Sequence, residues 1–289
     1  MVVNKNINVV EDFGQEWSLY DQSVLDLKQL QYLSEVYFEI FPWGQLPLNA
    51  QGFDLGCGSG RYSKYVAKKV GRLHCIDASE AALTVAKRNL KDFHNCCYYK
   101  ASVDQIPLKD DSMDFGYSLG VLHHVPDTQA GLNDCVKKLK IGAPFLVYLY
   151  YAFDNKPWWF RLIWRISDLG RKIICRLPFN IKKIICKFIA IFIYFPLARL
   201  NFLLEKMGLS VQNIPLAAYR KLNFYTMCTD ALDRFGTKLE HRYTREQVAK
   251  MMSNAGLEGV IFSTKIFWAA MGLKRNQNFK TRETDIDCR

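Results

Sequence analysis

The chain predicts an α/β fold, a largely parallel sheet with helices on both faces. Three observations carry that reading. A glycine-rich turn, Phe53-Asp54-Leu55-Gly56-Cys57-Gly58-Ser59-Gly60-Arg61, joins an apolar strand to a helical stretch. A second short apolar strand, Arg72 to Asp77, ends in an acid, and Ser79 then caps the next helix. Strand and helix patterns alternate as far as a fifth buried strand, Phe145 to Tyr151. With 289 residues and 49% apolar content the chain can bury a full core, and global disorder is excluded.

Residues 1–10 read as a loose tail. The stretch Val24 to Phe41 reads as a helix, because Leu25, Leu27, Leu30, Leu33, Val36, Tyr37 and Ile40 make an apolar face. Phe41-Pro42-Trp43-Gly44 stops it, so residues 1–50 form an N-terminal helical cap. After the glycine turn, Tyr62, Tyr65, Val66 and Val70 recur at helical spacing and predict a helix from Ser63 to Val70. Glycines there let the backbone take φ > 0 and bare its N–H groups to a ligand at a helix start. The spacing is neither the dinucleotide pattern G-x-G-x-x-G nor a phosphate loop with G-K-[ST]. A mere tight turn remains open at this point.

Asp77 narrows the choice. A carboxylate at the end of the second strand offers two acceptor oxygens to the vicinal hydroxyls of a ribose. The helix after it runs from Ser79 to about Leu90. A third unit follows, Cys97-Tyr-Tyr-Lys-Ala-Ser102-Val103-Asp104-Gln-Ile106-Pro107-Leu108. Next comes Asp114-Phe115-Gly116-Tyr117-Ser118-Leu119-Gly120-Val121-Leu122-His123-His124-Val125-Pro126-Asp127, a fourth strand and its loop.

Taken together these segments resemble class I S-adenosylmethionine (SAM) dependent methyltransferases, of the broad methyltransferase-11/UbiE-like superfamily. The glycine turn resembles motif I, D/E-x-G-x-G-x-G. The third unit is similar to G-D-A-x-x-L-P-F, and the fourth to F-D-x-x-x-S-x-x-V-L-H-H-V-x-D. The match covers about Phe13 to Leu149 and resumes near Tyr243. The resemblance implies a Rossmann-like seven-stranded sheet with a helical insertion after strand 5. It implies SAM as co-substrate and no metal. Asp54, Gly56, Gly58 and Gly60 would form the cofactor cradle, and Asp77 with Ala78 would meet the adenosine. Val103 would turn a backbone N–H to the adenine, and the Leu119 carbonyl would meet the methionine amine. Ser102 stands where the family has an aspartate; it accepts as a shorter, neutral partner, and Asp104 is near enough to substitute. Phe13-Gly-Gln-Glu-Trp17 resembles a segment ahead of the fold in such enzymes, so Trp17 and Tyr20 either cover cofactor or substrate or only pin the helix. His123, with His124 as alternative, is the candidate base, since imidazole titrates near neutrality. The competing reading has both rings packing the loop.

Charge and apolarity concentrate after strand 5. Lysine and arginine exceed the acids by 39 to 28, giving +11, which calls for an anionic surface or polymer as neighbour. Between Lys156 and Lys187 stand nine cations and one acid, Asp168. Trp158, Trp159, Leu162, Ile163, Trp164 and Ile166 interleave with them, and Pro178 and Pro196 are expected to break the stretch into helices. The run Phe188 to Phe195 is too short to span a bilayer, which needs about 20 apolar residues. Basic amphipathic helices with tryptophan suit an anionic membrane surface. A lid over a hydrophobic substrate and a plain cap with solvated cations remain open, and RNA ranks below them because the apolar residues are mainly aliphatic.

The expected organisation is therefore 1–50 helical cap, 51–151 SAM-binding core, 152–225 basic helical insertion, 226–275 completion of the core and 276–289 flexible tail. In the completion Thr244 and Gln247 form a capping box. Gly259 to Ser263 and Lys265 to Leu273 read as a final hairpin. Asp230, Asp233, Arg234, Glu240, His241, Arg242 and Tyr243 either border the substrate pocket or lie in a solvated loop. Nine scattered cysteines without C-x-x-C, and a polar start, are expected of a reduced cytoplasmic protein, peripheral on a membrane if the insertion binds lipid. The expected activity is methyl transfer to a small or lipid-like acceptor. An RNA methyltransferase and a SAM-fold interaction module are the alternatives.

Overall fold

The computed structural model describes residues 4–25, 27–264 and 268–276. A seven-stranded sheet runs in the order β3-β2-β1-β4-β5-β7-β6. Its strands are β1 Gln51–Leu55, β2 Arg72–Asp77, β3 Cys96–Lys100, β4 Phe115–Leu119, β5 Pro144–Tyr148, β6 Leu257–Phe262 and β7 Ala270–Lys274. The first five are parallel and β7 enters antiparallel between β5 and β6. The fold is therefore the α/β sheet that the alternating pattern predicts. Because β1 and β4 pair in parallel where the strand order reverses, a crevice opens beyond their carboxyl ends.

The centre of the sheet is packed by a reciprocal device. Gly52 pairs with Phe115, and Phe53 pairs with Gly116. A Cβ added to Gly52 would lie 2.3 Å from the Phe115 ring, and one on Gly116 would lie 2.4 Å from the Phe53 ring. Each ring lies over the partner's missing side chain, one on each face of the sheet. Phe115 joins the core with Phe41, Val66 and Leu83, whereas Phe53 joins that with Leu132, Phe145 and Val248.

Helices α1 (Ile7–Leu19) and α2 (Leu27–Tyr37) precede the sheet. The tail expected over residues 1–10 is shorter than that, because Asn6 accepts the Val9 N–H and starts α1 at Ile7. The helix expected to reach Phe41 ends at Tyr37, and Phe38 and Phe41 turn into the core. α3 is a single turn, Ser63–Val66, and not a helix to Val70. α4 (Glu80–Asn89) and α5 (Thr128–Lys138) cross between strands as expected. β5 stops at Tyr148, although Tyr151 still bridges Tyr243. In the final hairpin β7 begins at Ala270; positions 265–267, expected in that strand, and the tail 277–289 lie outside the described residues.

The insertion holds α6 (Trp158–Ile174), α7 (Phe179–Ile189) and α8 (Phe195–Lys206). Pro178 caps α7. Pro196 does not break the chain: a π-helical turn over Ala190–Tyr194 carries α7 directly into α8. Such a turn shifts the hydrogen-bond register just before the proline, whose missing N–H falls in the first turn of α8. α9 (Phe224–Gly236), expected with the completion of the core, packs on α7 instead, while α10 (Arg245–Asn254) packs on β6. The seam uses small residues, Cys186, Ala190 and Ala198, against Met227, Ala231 and Leu232.

Two of the insertion's cations point inward. Arg171 binds Asp168 (2.7 Å) and the Thr237 carbonyl (3.0 Å); Lys182 binds Asp12 of α1 (2.7 Å) and the Gly236 carbonyl (3.2 Å). Both satisfy carbonyls at the negative end of α9. The large apolar residues Ile166, Leu169, Ile173, Ile184 and Phe188 point outward, and Trp158 and Phe192 remain 71% and 69% exposed. The insertion thus has apolar residues on two sides: Cys186, Ala190 and Ala198 pack on α9, as the cap and lid readings expect, and the larger ones face outward, as the membrane reading expects. Among the described residues no helix is long and apolar enough to cross a membrane.

Candidate functional site

The glycine turn bends sharply at the end of β1. Gly56 and Gly58 take φ of 76° and 52°, in the left-handed region. A Cβ on Gly56 would lie 2.3 Å from the Val121 side chain, and one on Gly58 would lie 2.9 Å from the Trp17 indole. The Gly56 and Cys57 N–H groups donate to the Ile76 carbonyl (2.7 and 3.0 Å), pinning the turn to β2. Asp77 completes it. Its Oδ2 accepts the Gly58 N–H (2.9 Å) and its Oδ1 accepts the Ser79 N–H (2.8 Å). Each oxygen keeps a lone pair for a further donor. Burial pushes the Asp77 carboxyl above its usual range, opposed by those N–H groups.

A cleft opens beside this turn. From the sheet side Gly56, Asp77, Ala78, Ser102, Val103 and Leu119 line it. From the other side come Val9, Phe13 and Trp17 of α1. α1 crosses this close because Gly14 lacks a side chain; a Cβ there would meet Ser79 Oγ at 2.5 Å. Ser102 donates to Asp104 Oδ1 (2.5 Å), and the Asn4 N–H donates to Asp104 Oδ2 (3.3 Å). A carboxylate thus stands one hydrogen bond behind the position where the family has its aspartate.

Gly58, Gly60 and Asp54 build this cleft without lining it. Gly60 packs on Leu90, where a Cβ would come within 2.9 Å. Asp54 lies beneath the turn and accepts Ser63 Oγ–H (2.6 Å) and Tyr117 O–H (2.9 Å). Burial raises its carboxyl to about 7. An acid whose folded pKa is raised stabilises the fold below its unfolded pKa, and that contribution is lost as pH rises through about 7. Asp54→Asn is therefore expected to flatten the fall of Tm between pH 4 and pH 7 and to raise Tm at pH 8. Calorimetry across that window checks it; a slope equal to wild type counts against the role.

The histidines differ. His123 is fully buried, stacks on Tyr150 (centroids 3.8 Å) and has no partner for either nitrogen. Burial, then His124 and Arg242, hold it well below its usual range. His124 lines the cleft, and Phe13 packs against it (5.0 Å). Its Nδ1 lies 2.7 Å from the Leu239 carbonyl, which can only accept, so Nδ1 carries the proton and Nε2 is an acceptor. Burial pushes it down to about 4.

Beyond His124 a second set of polar groups converges. Asp233 Oδ1 stands 3.8 Å from His124 Nε2, and Asp233 Oδ2 accepts the Tyr150 O–H (2.5 Å). Glu16 of α1 faces it; burial first, then Asp233 and Asp230, raise its carboxyl well above the usual range, and Arg61 opposes them. Asp230 and Asp233 are both raised to about 6 by burial. Asp233 Oδ1, His124 Nε2, Glu16 Oε1 and Arg61 Nε all lack a hydrogen-bond partner. Buried polar atoms left unpaired in this way mark a place for a ligand. Asp230 and Asp233 stand on α9 within this polar cluster and do not sit in a solvated loop. Glu16 and Arg61 carried no sequence signal of this role, except that both stand beside motif residues. Among the described residues no His/Cys/Asp/Glu group could hold a metal ion.

The sheet order, the switch-point cleft and the strand-end acid define the class I SAM-dependent methyltransferase fold. Residues 53–147 match the family Methyltransf_11, a methyltransferase domain. The chain is similar to the ubiquinone biosynthesis O-methyltransferase of Idiomarina loihiensis, 32% identical over 31% of this chain and 37% of the relative. It is similar to that of Coxiella burnetii, 30% identical over 36% of this chain and 51% of the relative. The chain spans about half or less of the length of these curated relatives. Among solved structures, a Haloferax volcanii methyltransferase in complex with a methyltransferase activator superposes with TM-score 0.54 and 14% identity, over 93% of this chain and 98% of that one. A SAM-dependent methyltransferase from Thermotoga maritima gives TM-score 0.50 and 15% identity, over 92% of this chain and all of that one (100%). At such identities these two speak for the fold alone.

Proposed function

We propose that this chain transfers the methyl group of SAM to a hydroxyl of a lipid-like acceptor while seated on an anionic membrane surface. The cleft supports the cofactor. Asp77, Val103 and Leu119 all line it, and the Asp77 carboxylate already accepts the Gly58 and Ser79 N–H groups on its two oxygens. SAM supplies an activated methyl group when bound, so the protein's work is alignment and removal of a proton. The relatives' O-methyltransferase names favour an oxygen acceptor.

The observation that carries the membrane reading is the outward apolar face of α6–α8. Large apolar residues exposed along successive helices, rimmed by polar ones, mark an interaction surface. Arg161, Arg165, Lys172, Arg176 and Lys187 are interleaved with it, which complements anionic headgroups. The π-helical turn leaves Phe192 outside and buries Tyr194 near Asp230 and Asp233.

Two measurements test the proposal. Saturating SAM is expected to raise Tm by several degrees, since a ligand at about 100 times its Kd contributes about 2.7 kcal/mol. The chain is expected to pellet with phosphatidylglycerol-containing vesicles and to release on Ile166→Glu/Phe192→Glu substitution. An unchanged Tm sinks the cofactor reading; pelleting that ignores the substitutions, or protection of copurifying RNA, sinks the membrane reading.

A further inference from the structure

The unpaired atoms around Asp233 have a pattern. His124 Nε2 and Asp233 Oδ1 are both acceptors, face each other at 3.8 Å, and are too far apart to bond directly. The Tyr150 hydroxyl is spent on Asp233 Oδ2. A guest must therefore bring hydrogen to this gap. Arg61 Nε is the complementary case, a buried donor without an acceptor. Its cation is held over Tyr62 (4.6 Å), at 5.8 Å from Trp17, which lines the cofactor cleft. A headgroup with two adjacent hydroxyls satisfies all three, one O–H for each acceptor and an oxygen lone pair for Arg61 Nε. An amine satisfies the two acceptors and leaves Arg61 unpaired.

We infer that the unpaired polar atoms between the glycine turn and α9 bind the methyl acceptor, and that Asp233 is the catalytic base that takes the proton from its hydroxyl. This rests on the SAM-dependent reading above. In the step, the acceptor oxygen forms a bond to the methyl carbon as the carbon–sulfur bond breaks. The electron pair of that bond stays on sulfur, which becomes a neutral thioether. The hydroxyl proton passes to Asp233 Oδ1, and Arg61 steadies the charge that gathers on oxygen. His124 is a positioning residue: its Nε2 accepts from the headgroup, but a ring held near pH 4 binds a proton poorly at neutrality.

The charged and titratable groups facing Asp233 come from every side. Glu16 belongs to α1, Arg61 to the glycine turn, and His124 to the loop after β4. Tyr150 and Tyr194 flank it from β5's extension and the insertion. On or next to its own helix stand Asp230, Arg234 and Glu240. Burial, with Glu240 adding to it, outweighs Tyr150 and the two arginines and holds Asp233 near 6, ionised at neutral pH and strong enough to take a proton.

The experiment uses the full chain, methyl-labelled SAM and a total lipid extract of the native host, with SAM affinity measured by calorimetry in parallel. Wild type is expected to label an extractable product as a methyl ether, with kcat/KM falling below about pH 6. Asp233→Asn is expected to lose about 100- to 10,000-fold in kcat. Its SAM affinity should stay unchanged and the acidic limb should disappear, with Asp233→Glu restoring part of both. Failure of SAM binding overturns the cofactor reading. With SAM bound, absence of label or a methylamine product overturns hydroxyl binding at this cluster. A loss in Asp233→Asn that leaves the acidic limb in place, or no loss, overturns the base.

Discussion

Asp77→Ala is expected to abolish most of the thermal stabilisation that SAM confers. The carboxylate plays two parts at once. It holds the Gly58 and Ser79 N–H groups, which shapes the turn, and it presents its remaining lone pairs to the cleft. Hydrogen bonds to a charged group are worth about 1.5–3 kcal/mol each. Loss of two to a ribose costs on the order of 100-fold in affinity or more, at about 1.4 kcal/mol per tenfold. Asp77→Asn should fall between, because a carboxamide nitrogen faces one of the two N–H groups and can no longer accept there. Calorimetric titration with SAM checks this. An alanine variant that binds within about threefold of wild type would remove Asp77 from the site.

Lys182→Met is expected to produce the largest loss of stability among single changes in the insertion. Lys182 is 2% exposed and bridges three elements, α7 through its own backbone, α1 through Asp12 and α9 through the Gly236 carbonyl. Truncating it strands the Asp12 carboxylate and an end carbonyl of α9. Breaking one side of a buried pair costs about 3–5 kcal/mol. Adding Asp12→Asn should recover part of the loss, since the stranded charge is then gone. Lys187→Met, an exposed cation on the same helix, should change stability by less than about 0.5 kcal/mol. Equal effects at 182 and 187 would show that the inward pairing contributes nothing.

The contrast between these two residues shows what a sequence makes legible. Asp77 stands out because its signal is local: a strand end, a glycine turn at fixed distance and a capping serine all lie within one stretch. The same holds for β1 to β5, whose apolar runs and turn residues are contiguous. Lys182 offers no such signal. It reads as one cation among nine, and only the approach of α9 and α1, far away in sequence, turns it inward. The polar cluster around Asp233 was legible only in part, at Asp230 and Asp233 themselves, for the same reason. Glu16, Arg61, Tyr150 and Asp233 come from four elements, and no spacing rule links them. His123 illustrates the opposite error. L-H-H after β4 is a visible pattern, yet of its two imidazoles the second faces the cleft and the first is stacked away. The π-helical turn was also illegible, since Pro196 alone argues for a break.

The exchange of glycine and phenylalanine between β1 and β4 bears on how this sheet can vary among related chains. Positions 52 and 115 hold one large and one small residue, and so do 53 and 116. Enlarging one glycine alone overfills the core, and shrinking one ring alone opens a cavity beneath the cofactor turn. Substitutions at these four places are therefore compensated in pairs, and relatives should show anticorrelated side-chain volume at 52 with 115 and at 53 with 116. In a set of homologues that covariation would mark the β1–β4 register without any structure in hand.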